Sequence, residues 1–239
     1  MKKSNVFGIV ASCLLILSCD DASKQEMTIT TVAKPSVAQT NTNYVSNRAP
    51  LAPSALIKLP LGAIKPGSWL KESLQRQADG LMGNLGEISA WLQKDDNAWL
   101  SDDGTGAWGW EEVPYWLKGY ANTGYILQDS SMIKESQIWF EAALKSQRED
   151  GNFGPKMFSD RDGSQDFWSN MIMLYCLQSY YEATKDERVI DLMTKYFKYQ
   201  NSVPDDKMLS GVHYWQTLRG GDNLYSVIWL YNLPEINSF

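Results

Sequence analysis

What most constrains this chain is that part of it occurs twice. Superposing Asp129 on Asp186 carries Met132-Ile133 onto Val189-Ile190 and Trp139-Phe140 onto Tyr196-Phe197, 57 residues further on. Superposing Asp166 on Asp222 carries Leu174-Tyr175 onto Leu230-Tyr231, 56 residues further on. A unit of about 56 residues is one supersecondary element, which buries its apolar face by stacking on its neighbour. Each unit reads as an apolar, aromatic-rich helix, a polar turn at Gln128-Asp129 or Lys185-Asp186, and a more amphipathic helix such as Ile133 to Ser146 or Val189 to Tyr199. That is an αα-hairpin. The opening helices are apolar nearly all round, which a helix tolerates only when covered on most sides, so they are expected to be inner helices with outer partners. Asp150-Gly151 is expected to end the first outer helix.

Upstream, Pro66-Gly67-Ser68 opens another apolar period through Trp69, Leu70, Leu74, Leu81, Met82, Leu85, Ile88, Trp91 and Leu92. Gly80, Gly83 and Gly86 weaken that helix at three places.

The loops at one end of the hairpins, Gly151 to Gln165 and Ser202 to Gly221, are long and polar, yet they and their neighbours carry aromatics. These are Trp108-Gly109-Trp110-Glu111-Glu112, Phe153, Phe158, Asp166-Phe167-Trp168 and His213-Tyr214-Trp215. Exposed rings beside carboxylates and amides suit a sugar, whose apolar face stacks while its hydroxyls take polar partners. The competing reading is a set of core rings with helix-capping acids. Glycoside hydrolysis needs two carboxyls placed across the scissile bond, and Glu111, Glu112, Asp160, Asp162, Asp166 and Asp222 are available. Glu111 and Glu112 open an inner helix, where acids are also favoured electrostatically. Asp166 and Asp222 occupy matching places in the repeat, which fits capping or a shared cavity. Asp160 to Asp166 is superficially similar to a calcium loop but lacks the terminal glutamate. His213, the only histidine, fits a substrate hydrogen bond or a structural role. One histidine and one apolar cysteine cannot build a zinc site.

Lys2 and Lys3 precede an apolar run, Val6 to Leu17, too short to cross a bilayer, where about 20 residues are needed. It reads as a secretory signal over residues 1–18. Leu15-Ile16-Leu17-Ser18-Cys19 resembles the lipobox of bacterial lipoproteins, so Cys19 is the expected lipidation site and membrane anchor. Asp20-Asp21 resembles a Bacteroidetes surface-sorting signal. The expected address is therefore the outer membrane, cell surface or periplasmic face of a Gram-negative bacterium of that kind. Residues 19–56, rich in Ser, Thr, Asn, Ala and Pro, read as a flexible tether. All ten tryptophans lie at or beyond Trp69, so residues 57–239 are the expected folded domain. Net charge is -6, which argues against nucleic acid as a partner. With Cys13 and Cys19 assigned to the signal and the lipid, Cys176 is left alone on an apolar stretch and reads as a small buried hydrophobe.

The chain resembles the N-terminal part of family 127 glycoside hydrolases, the β-L-arabinofuranosidase family. The resemblance lies in Pro60 to Leu70, Gln77 to Leu81, Trp110 to Gly119, Gln147 to Pro155, Gly220 to Leu224 and Trp229 to Asn232. It implies an all-α fold of repeated αα-hairpins, the first half of an (α/α)6 barrel of the six-hairpin glycosidase type. It also implies retaining hydrolysis of terminal β-L-arabinofuranosides, or a sister specificity among plant sugars, so the expected partner is a plant-derived oligosaccharide. The family's cysteine nucleophile, its zinc and its acid/base glutamate belong to later hairpins with no counterpart here. No catalytic residue is therefore assigned, and no cofactor is expected in this chain. The matched stretches supply one wall of the sugar pocket, with Trp110, Glu111, Trp168, His213, Asp222 and Asn223 as the expected substrate contacts.

Six hairpins of about 56 residues need about 330 residues, whereas Trp69 to Phe239 is 171. The third inner helix is expected to reach Asn232 and stop at Pro234. A truncated, inactive half-barrel is the expectation. The alternative is a stand-alone helical-repeat lipoprotein that captures oligosaccharide for other enzymes.

Overall fold

The chemistry of two turns explains why the chain repeats. Helix α3 (Glu112–Leu127) ends on Gln128 in the left-handed region, φ 59°. Asp129 then accepts from the backbone amides of Ser131 and Met132, capping α4 (Ser130–Lys145). One unit later, α5 (Trp168–Thr184) ends on Lys185, also at φ 59°. Asp186 there takes the amide of Arg188 at 3.1 Å at the start of α6 (Arg188–Ser202). A left-handed residue closes one helix and an aspartate opens the next, so the chain reverses in a few residues.

The computed structural model describes residues 31, 33, 46–156, 166–209 and 214–233, without the side chain of Gln216. The chain divides into two compact units, Met1–Pro35 and Ser36–Phe239; in the first, only Thr31 and Ala33 are described. The described residues are all-helical, without a strand, and complete the set with α1 (Ser68–Asp79), α2 (Leu81–Ile88), α7 (Tyr214–Leu218) and α8 (Gly220–Asn232). Cys19 and the rest of the expected signal and lipid anchor lie outside the described residues.

Helices α3 and α5 are inner, as their composition requires. Helix α5 packs against α3 on one side and α8 on the other, while α4 covers α3, and α6 covers α5 and α8. Trp139, Phe140, Leu117, Met173, Leu177 and Tyr196 form the centre of this core. Burying one such side chain stabilises the fold by about 1.5–3 kcal/mol, which far exceeds helix propensity and decides where each helix sits.

Five expectations change. The period from Trp69 to Leu92 is two helices and a 3-10 turn, Ala90–Leu92. The helix breaks at Gly80, and a Cβ on Gly83 would stand 1.6 Å from the Ala78 carbonyl oxygen, so only glycine fits. The first outer helix ends at Lys145, not at Gly151. Gly151 lies in a turn at φ +96°, pressed against α6, where a Cβ would meet the Lys195 carbonyl at 2.5 Å. Phe153 and Phe167 are core rings against Tyr196, not loop rings open to solvent. The chain is also tied down earlier than residue 57. Arg48 N donates to Asn232 Oδ1 at 2.8 Å, the Arg48 guanidinium lies 4.2 Å over the Tyr231 ring, and Leu61 N donates to Glu182. The segment from Asn47 onward therefore forms a strap across the C-terminal ends of α5 and α8.

The inner helix α8 stops at Asn232, as its period required, with extended Leu233 next. Asp166 and Asp222 are not equivalent in register. Asp166 precedes α5 by two residues and caps it through the Trp168 amide at 3.0 Å, whereas Asp222 lies inside the first turn of α8.

Candidate functional site

The N-terminal ends of α3, α5 and α8 meet, and their first residues touch. Glu111, just before α3, and Trp168, the first residue of α5, are joined by the indole N–H donating to Glu111 Oε2 at 2.6 Å. Arg219, just before α8, lays its guanidinium 4.0 Å over the Trp168 ring. Tyr115, one turn into α3, meets Trp168 edge-on, with ring centroids 6.1 Å apart. On the α8 side the Tyr175 phenol donates to Asp222 Oδ1 at 2.8 Å. Trp215 Nε1 reaches Asp166 Oδ2 at 3.2 Å.

The acids divide their work. Glu112 accepts from the Glu111 backbone amide at 3.2 Å, satisfying a free donor at the start of α3. Asp166 caps α5. Glu111 makes no cap, and its carboxylate is instead held by Trp168. Glu111 and Asp222 thus each spend one oxygen on a neutral donor, and no bond to a described residue is seen at Glu111 Oε1 or Asp222 Oδ2. Both tyrosines stay protonated beside them. Burial, then the hydrogen bond and charge of Asp222, pushes the Tyr175 phenol well up. Burial, then the charge of Glu111, pushes the Tyr115 phenol up, with Arg219 opposing.

Of the expected contacts, Glu111, Trp168 and Asp222 come to this end of the hairpins. Trp168 is only 6% exposed, so its ring is not an open platform. Asn223 turns away into the core: its amide donates to Gln200 Oε1 at 2.8 Å and accepts from Gln200 Nε2 at 3.1 Å. Trp110 is half-buried against the core, with its carbonyl taken by Trp99 Nε1 at 3.0 Å. His213, Phe158, Asp160 and Asp162 lie outside the described residues. Sequence reading missed Tyr115, Tyr175 and Arg219. Tyr115 stands four residues after Glu111, hence on the same face, and that spacing was the available signal.

Zinc chemistry does not fit the described residues. Cys176 is 2% exposed, and its Sγ lies 3.3 Å from the Pro114 carbonyl. Burial pushes its thiol up to about 12. No cluster of three His, Cys, Asp or Glu side chains among the described residues could hold a metal ion.

A family model described as "Beta-L-arabinofuranosidase, GH127 catalytic domain" matches residues 35–235. The chain belongs to this family. No curated protein and no solved structure matches it. Within this GH127 chain, the Trp110 to Gly119 stretch builds the α3 end of the site, while Gln147 to Pro155 is scaffold. Gln147 Nε2 donates to Gly151 O and Leu192 O, both at 2.9 Å, and Arg148 Nη1 to Gly154 O at 2.9 Å. The Phe153 carbonyl then accepts from Asn170 on α5 at 2.7 Å. The loop is thereby fastened to both helices of the second hairpin.

Proposed function

We propose that this chain forms the sugar-binding wall of a glycoside hydrolase acting on terminal β-L-arabinofuranose of plant-derived glycans. One observation carries the reading: Glu111 and Asp222 are each oriented by a neutral donor, with no described residue bonded to the second oxygen of either, where three inner helices begin. A carboxylate accepts hydrogen bonds from vicinal hydroxyls, and such charge-assisted bonds are roughly twice as strong as neutral ones. Arg219 and the protonated phenol of Tyr115 add donors for ring or glycosidic oxygens. The wall binds and orients the sugar. Cys176 is not offered as its nucleophile, because a buried thiol near 12 carries almost no thiolate at neutral pH. The (α/α)6 barrel is the architecture these hairpins suit, and a lipid on Cys19 would hold the domain at a membrane.

The test is titration of the full chain with methyl β-L-arabinofuranoside, followed by NMR, beside an assay of p-nitrophenyl β-L-arabinofuranoside hydrolysis. Saturable binding that weakens at least about tenfold in Glu111→Gln and Asp222→Asn is expected. Equal binding of glucopyranosides, or no effect of either substitution, would overturn the reading. Binding without turnover is expected of such a wall and of a sugar-capturing lipoprotein alike, whereas turnover by this chain would overturn the lipoprotein alternative.

A further inference from the structure

We propose that Tyr115 supplies the aromatic platform of this sugar site. The inference rests on the proposed sugar-binding function. Two rings from the inner helices stand beside the Glu111 carboxylate, and only one is open. Trp168 has Arg219 at 4.0 Å over its ring, Tyr115 packed against it and 6% of its surface exposed. A sugar could stack there only by displacing the guanidinium. Tyr115 is 45% exposed, and its ring packs against Trp168 in a T-shaped arrangement at an interplanar angle of 61°. Stacking needs an immobilised face with solvent in front of it, and that is the situation of Tyr115.

Its position adds chemistry to shape. The Tyr115 phenol lies within the electrostatic reach of Glu111, Asp222 and Arg219, and burial, then the charge of Glu111, pushes its pKa up. A neutral phenol both donates and accepts one hydrogen bond, which matches an alcohol hydroxyl. Trp168 is then a positioning residue, holding Glu111 by its N–H and Tyr115 by ring packing.

Binding of methyl β-L-arabinofuranoside to the full chain tests this, read by saturation transfer to the sugar ring protons and by titration. Tyr115→Ala and Tyr115→Leu are expected to weaken binding about tenfold and to abolish most of the transfer. Tyr115→Phe, which keeps the face and loses the hydroxyl, is expected to retain binding within about threefold. Because Leu preserves apolar bulk, an unfolded Ala variant still leaves a decisive comparison between Leu and Phe. Wild-type binding that is matched within twofold by Tyr115→Leu overturns the platform and leaves the sugar-site reading standing. A wild type that binds no furanoside overturns both.

Discussion

The Trp168 indole donates to Glu111 across 57 residues of chain, one structural repeat, so that the first residue of one inner helix is bonded to the residue that precedes the other. A bond to a charged acceptor is worth about 1.5–3 kcal/mol. Trp168→Phe keeps most of the packing and deletes the donor. Its unfolding midpoint in urea should fall by an amount equivalent to about 1–3 kcal/mol. Sugar affinity should fall too, because Glu111 loses its orientation. Glu111→Gln should cost less stability, since the amide oxygen still accepts from the indole.

Asp222 and Asn223 are adjacent and should behave oppositely. Asn223→Ala leaves the buried Gln200 amide half-satisfied, at a cost of about 1–3 kcal/mol in chemical denaturation. Adding Gln200→Ala should recover part of that loss in a double-mutant cycle. Asp222→Asn, half-buried and able to accept from Tyr175, should leave stability within about 0.5 kcal/mol while weakening sugar binding.

Cys176 offers a pH-dependent test. Its ordinary value is 9.0, and burial raises it to about 12 in the folded state. The neutral thiol is therefore favoured by folding. Its contribution to stability is fully present below about pH 9 and is lost as pH rises toward 12, because the unfolded chain ionises first. Cys176→Ala should flatten that alkaline decline. Thiol reagents at pH 8 should label the folded chain far more slowly than the denatured one.

Arg188 links Glu141 to Asp186 by hydrogen bonds to both. Its hydrogen bonds hold both carboxyls below their ordinary values of 4.5 and 3.8. Stability from this cluster is present above those values and is lost as pH falls through the lower folded ones. The arginine is half-exposed, so Arg188→Gln should cost only about 0.5–1 kcal/mol at neutral pH. The difference from wild type should vanish in strong acid and shrink in high salt.

Gly151→Ala should be costly for its size. A side chain at φ +96° is strained, and its Cβ would stand 2.5 Å from the Lys195 carbonyl. A loss of about 2–4 kcal/mol in unfolding free energy is expected.

The hairpins were legible because what makes them is local. Apolar residues three and four apart define a helix face wherever it packs, and Asp129 and Asp186 cap the helices that directly follow them. The unbroken apolar character of α5 determined that it is an inner helix, and of three glycines in the first period Gly80 is where the helix fails. None of that needed a neighbour distant in sequence. The site depended on such neighbours. Whether an acid caps a helix or faces a ligand is decided by what stands opposite, which is how Glu111 and Glu112, side by side in sequence, came to differ. Trp168 looked like an open ring until Arg219, 51 residues later, covered it, and Asn223 looked like a sugar contact until Gln200 claimed its amide. Local periodicity and turn chemistry therefore determined the helices. Only the packing of α3, α5 and α8 decided which of their polar and aromatic side chains remain free to meet a ligand, because a side chain's free surface is whatever its tertiary neighbours leave uncovered.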